Sequence, residues 1–313
     1  MIICIVTYHN IVEIKIDFLT FENINKLDFI REILANSGFS AIQNITRLQS
    51  GSRSVAYYAD DYVVRFPKAE IIWLTMQREK AVIDMIYPYL MPYFEEKIHK
   101  IELINGKYPF SVSKRFYGKI CDGRTESDYA VLYQNIKPAQ QFKLAQDLAM
   151  FFHLMHQIDY KKLNMPEPTE AIDNWDVSIR EDFDYASVRE ALLPHKIDLD
   201  DYKSDFPNPN KALCHNDLSG SNLLLNPESN DILAGIIDFG NMVIMPKYQD
   251  FFPLYKVDRK LAIDTLTEYN KLTTSKIEPK QLDYMALCYI GYGLYKTKDN
   301  SSPYFMKLLK PFI

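Results

Sequence analysis

Leu213-Cys214-His215-Asn216-Asp217-Leu218-Ser219-Gly220-Ser221-Asn222 is followed, after a second apolar run, by Asp238-Phe239-Gly240. As a pattern this reads H-x-D-x-x-x-x-N and then D-F-G. Moving a phosphoryl group from a nucleotide asks little covalent chemistry of a protein. It needs a carboxylate that accepts or orients the acceptor hydroxyl, and oxygen ligands that hold Mg²⁺ against the phosphates. Asp217, Asn222 and Asp238 supply those three groups in that order along the chain. Either half alone fits ordinary turn residues beside a hairpin; both together, at this spacing, form a specific joint signature.

The flanking residues frame the signature. Ala212 to Cys214 and Leu223 to Leu225 are short apolar runs on either side of a polar loop, and Pro227 to Asp231 is a cluster of turn formers. Ile232 to Ile237 is a β-branched, apolar run of strand length that delivers Asp238 at its end.

The chain has 313 residues, 47% hydrophobic and 25% charged, which allows a large core and two lobes. A net charge of −5 gives no reason to expect nucleic acid or an anionic membrane as partner, and favours a cationic or neutral small molecule as substrate. The four cysteines, Cys4, Cys121, Cys214 and Cys288, are scattered without a CxxC pair, as in a reduced, cytoplasmic protein. The apolar opening Met1 to Val6 lacks a basic flank and is too short for a signal peptide or a membrane span. A monomer is expected.

Alternation over residues 1–16 suggests an extra strand or a loose arm. Asn25 to Ser37 has helical spacing and stops at Gly38. Ile42 to Leu48, Ser54 to Ala59 and Tyr62 to Phe66 are expected strands; Trp73 to Tyr87 is an expected helix stopped by Pro88. Lys97 to Leu103 and Tyr108 to Ser113 are expected to pair across a type I′ turn at Asn105-Gly106. After a linker near 114–118 the pattern turns helical, most clearly from Ala139 to Gln157, and again over Arg259 to Leu272 and Gln281 to Tyr295.

With these segments placed, the chain resembles the aminoglycoside phosphotransferase family of small-molecule kinases, and within it is similar to the aminoglycoside 2″-phosphotransferases. The resemblance runs from about Ile42 to Tyr295. Besides the catalytic stretch it is carried by Gly51 to Tyr57 with Val63 to Lys68, by Leu144 to His156, and by Gly235 to Gly240 with Asp250-Phe251. It implies an α+β, bilobal, protein-kinase-like fold with an antiparallel-sheet N-lobe and a mainly helical C-lobe, a nucleotide lying in the cleft. The expected divisions are an N-terminal arm and helix over 1–40, a nucleotide-binding lobe over 41–114, and a helical lobe over 115–313 with catalytic loop and acceptor site. The cofactors implied are Mg²⁺ and, as phosphoryl donor, ATP or GTP.

By the same resemblance Asp217 is the catalytic base, Asn222 and Asp238 hold the metal, and His215 and Asp250 brace the loop. Gly51 and Ser52 would cover the phosphates, with Lys114 and Phe116 meeting the nucleobase through their backbones. The family's phosphate-binding lysine is replaced here by Arg65, whose natural ion-pair partner is Glu79; arginine keeps the charge but presents a fork rather than a point ammonium. A second departure is Met245-Pro246, where the family commonly shows Asp-Pro. The acceptor implied is an aminoglycoside, with the drug resistance that its phosphorylation confers. Asp173, Asp176, Glu181, Asp182 and Asp184, and later Asp264 and Glu268, are candidates to bind its ammonium groups, whereas Lys256 to Lys260 is basic where relatives tend to be acidic. The alternatives are a kinase of another alcohol, such as a macrolide or a choline-like or homoserine-like metabolite, and a catalytically silent nucleotide binder, the last motivated by Arg65. A protein kinase is disfavoured, because the short interval from Asp238 to Asp250 contains no activation segment or A-P-E.

Overall fold

The computed structural model describes residues 2–7, 10–15, 17–18, 26–48, 53–121, 131–165, 184–203, 211–299 and 301–313. They group into two compact units: Met1–Pro88 with Ile98–Phe116 and Asn164–Ala171, and Tyr89–Lys97 with Tyr117–Leu163 and Ile172–Ile313.

Strand alternation builds the first unit. The N-terminal alternation forms an antiparallel pair, β1 (Ile2–Thr7) and β2 (Asn10–Lys15). Helix α1 (Leu27–Asn36) follows, burying Ile30, Ile33 and Leu34. Gly38 closes it at φ 95°, a left-handed conformation that suits a residue without Cβ. Then come β3 (Ile45–Arg47), β4 (Ser54–Ala59), β5 (Tyr62–Pro67), α2 (Glu70–Phe94), β6 (Ile101–Ile104) and β7 (Phe110–Lys114). The five strands form one antiparallel sheet in the order β3-β4-β5-β7-β6. Val55, Tyr57, Ala59, Val64, Phe66, Phe110 and Val112 share a core with the buried face of α1. Because side chains alternate along a strand, Arg65, between Val64 and Phe66, points to the opposite face, in register with Ala56 and Ser111.

Two expectations in this unit are corrected. Helix α2 does not stop at Pro88 but runs from Glu70 to Phe94. An interior proline costs about 3 kcal/mol, yet Asp84, Pro88 and Pro92 lie on an exposed stripe while Val82, Ile83, Ile86, Leu90 and Phe94 are buried. Each buried side chain of that size returns about 1.5–3 kcal/mol, so packing outweighs the lost hydrogen bond. Asn105-Gly106 does not form a type I′ turn either: Ile104 pairs with Phe110, which leaves a longer loop over 105–109, and neither residue has positive φ. Pro109 has no N–H to donate to a tighter ladder.

The second unit contains β8 (Lys119–Ile120), α3 (Pro138–Gln157), α4 (Tyr185–Leu192), α5 (Leu199–Tyr202), β9 (Lys211–Cys214), β10 (Leu223–Leu225), β11 (Leu233–Ile236), β12 (Val243–Pro246), α6 (Phe251–Val257), α7 (Arg259–Leu272), α8 (Pro279–Thr297) and α9 (Pro303–Leu309). The strands flanking the loop over 215–222 do not pair with each other. β9 pairs with β12, and β10 lies between β11 and β8. Met245-Pro246 is therefore the end of a strand; β12 is an edge strand, where proline is tolerated. Helix α3 buries Leu144, Ala145, Leu148, Phe151, Phe152 and Met155. A separate apolar cluster joins α4 and α5 to α8 and α9. No helix among the described residues is long and apolar enough to cross a membrane.

Candidate active site

The loop between β9 and β10 is tied together by its own backbone. The Asp217 carbonyl accepts from the Ser219 N–H at 2.7 Å and from Asn222 Nδ2 at 2.8 Å, and the Asn222 N–H donates to the Ser219 carbonyl at 3.0 Å. Asn216 enters the loop at φ 64°, which asparagine tolerates better than most residues. Its N–H donates to Asp250 Oδ1 at 2.8 Å. The Asp217 side chain is half-buried, and its Oδ2 accepts from Asn241 Nδ2 at 3.1 Å. One carboxylate oxygen is thereby fixed, and among the described residues Oδ1 remains for a proton or a hydroxyl.

Asp238 stands at the end of β11 in a left-handed conformation, φ 65° and ψ 66°, starting the turn Phe239–Asn241. The Ile237 N–H donates to the Asn222 carbonyl at 3.1 Å, so the backbone at Asn222 is paired with the residue that precedes Asp238. The Asn222 carboxamide nitrogen is committed to the Asp217 carbonyl, so its oxygen is the atom available to a cation. An amide oxygen next to a carboxylate suits a hard cation such as Mg²⁺. His215 is fully buried, its ring centroid 4.8 Å from that of Phe239 and 6.3 Å from that of Phe151. Its Nδ1 lies 3.4 Å from the Asp217 N–H.

Behind the loop, Asp250 is wholly buried. Its second oxygen accepts from His156 Nε2 at 3.0 Å, and His156 Nδ1 lies 2.9 Å from the Tyr269 hydroxyl. Cys214 completes a cluster in which the ligand atoms of His156, Cys214 and Asp250 lie within 4.8 Å of one another, a spacing that a metal could use. Hydrogen bonds already occupy both imidazole nitrogens and both Asp250 oxygens. Burial and the Asp250 charge push the Cys214 thiol well up, which disfavours a free thiolate there. The cluster is a hydrogen-bond network. Asn241 and Tyr269 carry no signal in the sequence motifs, and His156, which closes the segment Leu144 to His156, has no role assigned there: it reads as one more member of the α3 apolar face, and Asn241 as a turn residue after D-F-G.

In the first unit Arg65 Nη2 donates to Glu79 Oε2 at 2.6 Å, and Arg65 Nε to Ser111 Oγ at 3.3 Å. The Glu79 side chain is 3% exposed and that of Arg65 22%. Burial alone would push the Glu79 carboxyl up, but the Arg65 guanidinium and the nearby His99 bring it down to about 2. His99 Nε2 is 3.9 Å from Glu79, too far for a hydrogen bond but close enough for a charge to act. The Phe116 ring stacks on His99 at 5.8 Å, and Lys114 is the exposed last residue of β7. Lys68 is exposed just beyond β5. Gly51 and Ser52 lie outside the described residues.

Of the acceptor candidates, Asp182 also lies outside the described residues, as do Asp173, Asp176 and Glu181. Asp184 is the N-cap of α4, accepting from the N–H groups of Ala186 and Ser187. Asp264 accepts from the Tyr133 hydroxyl at 2.8 Å and from Lys260 Nζ at 2.5 Å, and Glu268 accepts from Lys271 at 2.5 Å. Both line a groove of about 240 Å³ between α3 and α7, whose lining includes no residue of the catalytic loop. Asp283 is likewise engaged, bidentate with Arg259 and accepting from Tyr255.

An antiparallel-sheet unit with a part-buried Arg65–Glu79 pair, and a mainly helical unit with a braced Asp217 loop, fit a kinase-like phosphotransferase. The model of the phosphotransferase enzyme family (APH) matches residues 44–273, and the chain belongs to that family. Among solved structures it is similar to the GDP complex of aminoglycoside 2′-phosphotransferase-IIIa, with 19% identity over 92% of this chain and 98% of that one and a TM-score of 0.63. It is also similar to the APH(2″)-IIa of a streptomycin–ATP ternary complex (18% identity, 94% and 97% covered, TM-score 0.56). A third is the macrolide 2′-phosphotransferase MphH from Brachybacterium faecium (14% identity, 90% and 96% covered, TM-score 0.58). At these identities the likeness shows the shared fold.

Proposed function

We propose that the chain transfers the γ-phosphoryl group of ATP or GTP to a hydroxyl of an aminoglycoside, which would make its host resistant to that drug. The observation that carries the reading is Asp217. Its carbonyl accepts two hydrogen bonds within the loop, one carboxylate oxygen is held by Asn241, and the other is left to accept or orient the acceptor's proton. In line with this role Asp217 acts mainly in the transition state, where the attacking hydroxyl loses its proton. Asn222 and Asp238 would hold Mg²⁺, which when bound offsets the charge on the phosphates. Arg65, oriented by Glu79, anchors the phosphates; Gly51 and Ser52 cover them; Lys114 and Phe116 meet the base through carbonyl and N–H. His215 and Asp250 support the loop. Acidic residues around Asp182 bind the acceptor's ammonium groups.

One observation favours a second reading, a neutral alcohol such as a macrolide as acceptor. Asp258, Asp264, Glu268 and Asp283 are each engaged by a cation, a helix N-terminus or both, so the charge of this stretch is compensated within the protein. The test is a coupled nucleotide-consumption assay with ATP and GTP separately, across kanamycin-, gentamicin- and macrolide-type acceptors, with Asp217→Asn as the blank. Acceptor-dependent turnover and a singly phosphorylated product support the reading. Consumption that ignores both acceptor and Asp217 would overturn it.

A further inference from the structure

We infer that His156 and Tyr269 are positioning residues for the reaction: the buried chain Tyr269–His156–Asp250 ends on the Asn216 amide and sets the turn that aims the Asp217 carboxylate. The inference rests on Asp217 being the group that handles the acceptor hydroxyl. The turn at Asn216 is left-handed, a conformation that persists in a non-glycine residue when its surroundings over-determine it. The over-determining contact is the 2.8 Å bond from the Asn216 N–H to Asp250 Oδ1. Asp250 in turn is a fully buried carboxylate, which is tolerated only where both oxygens are satisfied.

His156 satisfies the second oxygen. A carboxylate only accepts, so Nε2 of His156 carries the hydrogen of the 3.0 Å bond, and Nδ1 lies 2.9 Å from the Tyr269 hydroxyl. Burial and the Asp250 charge push the Tyr269 phenol up, so its O–H stays in place to donate. The rings are held sideways as well. His156 stacks on Phe152 at an interplanar angle of 6°, and Phe251 packs against both Phe152 and Tyr269 with centroids 5.0 and 5.2 Å away. Tyr269 sits on α7 and His156 on α3, so two helices set the position of a loop atom. Cys214 Sγ, 4.0 Å from His156 Nε2, also approaches the carbonyls of Ala212 and Met245, which a thiol hydrogen can serve instead.

The test uses the full chain and four variants: Tyr269→Phe, His156→Leu, His156→Gln, and Tyr269→Phe combined with His156→Leu. Three quantities are read: kcat and KM with an acceptor that the wild type phosphorylates, hydrogen–deuterium exchange over 214–222 with peptides of α3 and α7 as controls, and Tm. His156→Leu is expected to lower kcat by about ten- to a hundredfold while the nucleotide KM stays within about twofold. Tyr269→Phe should lower it by a smaller factor, and His156→Gln, which keeps a donor toward Asp250, should recover part of the loss. The double variant should be no slower than His156→Leu, because both lie on one chain. Exchange over 214–222 should speed up while the helix peptides stay protected. A purely structural role predicts the opposite: lower Tm, unchanged kcat per folded molecule, additive effects, and loop exchange that rises only with global opening. That outcome overturns the inference. If His156→Leu fails to fold, Tyr269→Phe decides, and unchanged kcat with unchanged loop exchange overturns it. If the wild type phosphorylates no acceptor, the proposed function fails, whereas the exchange comparison still decides whether the chain sets the loop.

Discussion

Arg65→Ala is expected to harm the protein in two separable ways, in stability and in nucleotide handling. Glu79 is nearly enclosed, and the Arg65 guanidinium is the largest influence holding its carboxyl down, at about 2 against an ordinary 4.5. That difference corresponds to about 3 kcal/mol favouring the folded state when Glu79 is ionised. The folded value lies below the unfolded one, so this contribution is fully present above pH 4.5 and is lost as pH falls toward 2. In Arg65→Ala the carboxylate keeps its burial and loses its counter-charge, with only His99 left at 3.9 Å. The sign then reverses: Glu79 opposes folding at neutral pH, and acidification relieves the penalty. Breaking a buried pair costs about 3–5 kcal/mol, with the lower end expected here because Arg65 is partly exposed.

Urea midpoints at pH 7 and pH 4.5 for wild type, Arg65→Ala, Glu79→Gln and the double variant check this. Arg65→Ala should be the least stable at pH 7, the double variant should recover part of the loss, and Arg65→Ala should regain stability at the lower pH. Equal loss in the single and double variants, with no pH dependence, would refute the electrostatic account. On the functional side, an anchoring contact of this kind is worth about 2–4 kcal/mol in the transition state, or about 10²–10³ in rate. Arg65→Lys keeps the charge facing Glu79 and loses the bond to Ser111, so it should retain much more turnover. Normal kinetics in a folded Arg65→Ala would mean that another cation anchors the phosphates.

Asp217→Asn should abolish transfer while calorimetry shows nucleotide affinity intact, because Asp217 meets the acceptor and not the phosphates; turnover near wild type would place the base elsewhere. Asp238→Ala should cost more Mg²⁺-dependent nucleotide affinity than Asn222→Ala, since one removes an anionic ligand and the other a neutral oxygen; equal affinities with and without Mg²⁺ in all three proteins would contradict the assignment. Asp264→Asn and Glu268→Gln should leave acceptor KM unchanged, whereas neutralising Asp182 should raise it for cationic acceptors; the reverse ranking would move the acceptor to the groove between α3 and α7. Gly291→Ala should lower Tm more than Gly293→Ala, because its Cβ would come 2.9 Å from the Val188 carbonyl while at Gly293 the obstacle is the swinging end of the Phe305 ring.

The candidate stretch Leu213 to Asn222 with Asp238 stands out in the sequence because each of its letters would be a chemical requirement of phosphoryl transfer: a carboxylate, an amide oxygen and a second carboxylate. The sheet of the first unit is legible for a related reason. Alternation over Ser54 to Phe66 states directly which residues are buried, and Arg65 stands out as a charge between two core positions. Helix α2 was read too short because a proline rule is local, whereas the burial that overrides it at Pro88 comes from residues elsewhere in the fold. The same limit is sharper behind the active site. His156 and Asp250 are 94 positions apart and His156 and Tyr269 are 113 apart, and neither separation leaves a period or a spacing to detect. Acidic side chains show the converse. A row of Asp and Glu looks like a cation site in one dimension, yet Asp184 caps a helix and Asp264, Glu268 and Asp283 close on Lys260, Lys271 and Arg259. Charge available to a substrate is what remains after the fold has used its own. The acceptor's identity therefore depends on carboxylates that the fold leaves unspent, and comparing neutralisation of Asp182 with that of Asp264 and Glu268 tests where they lie.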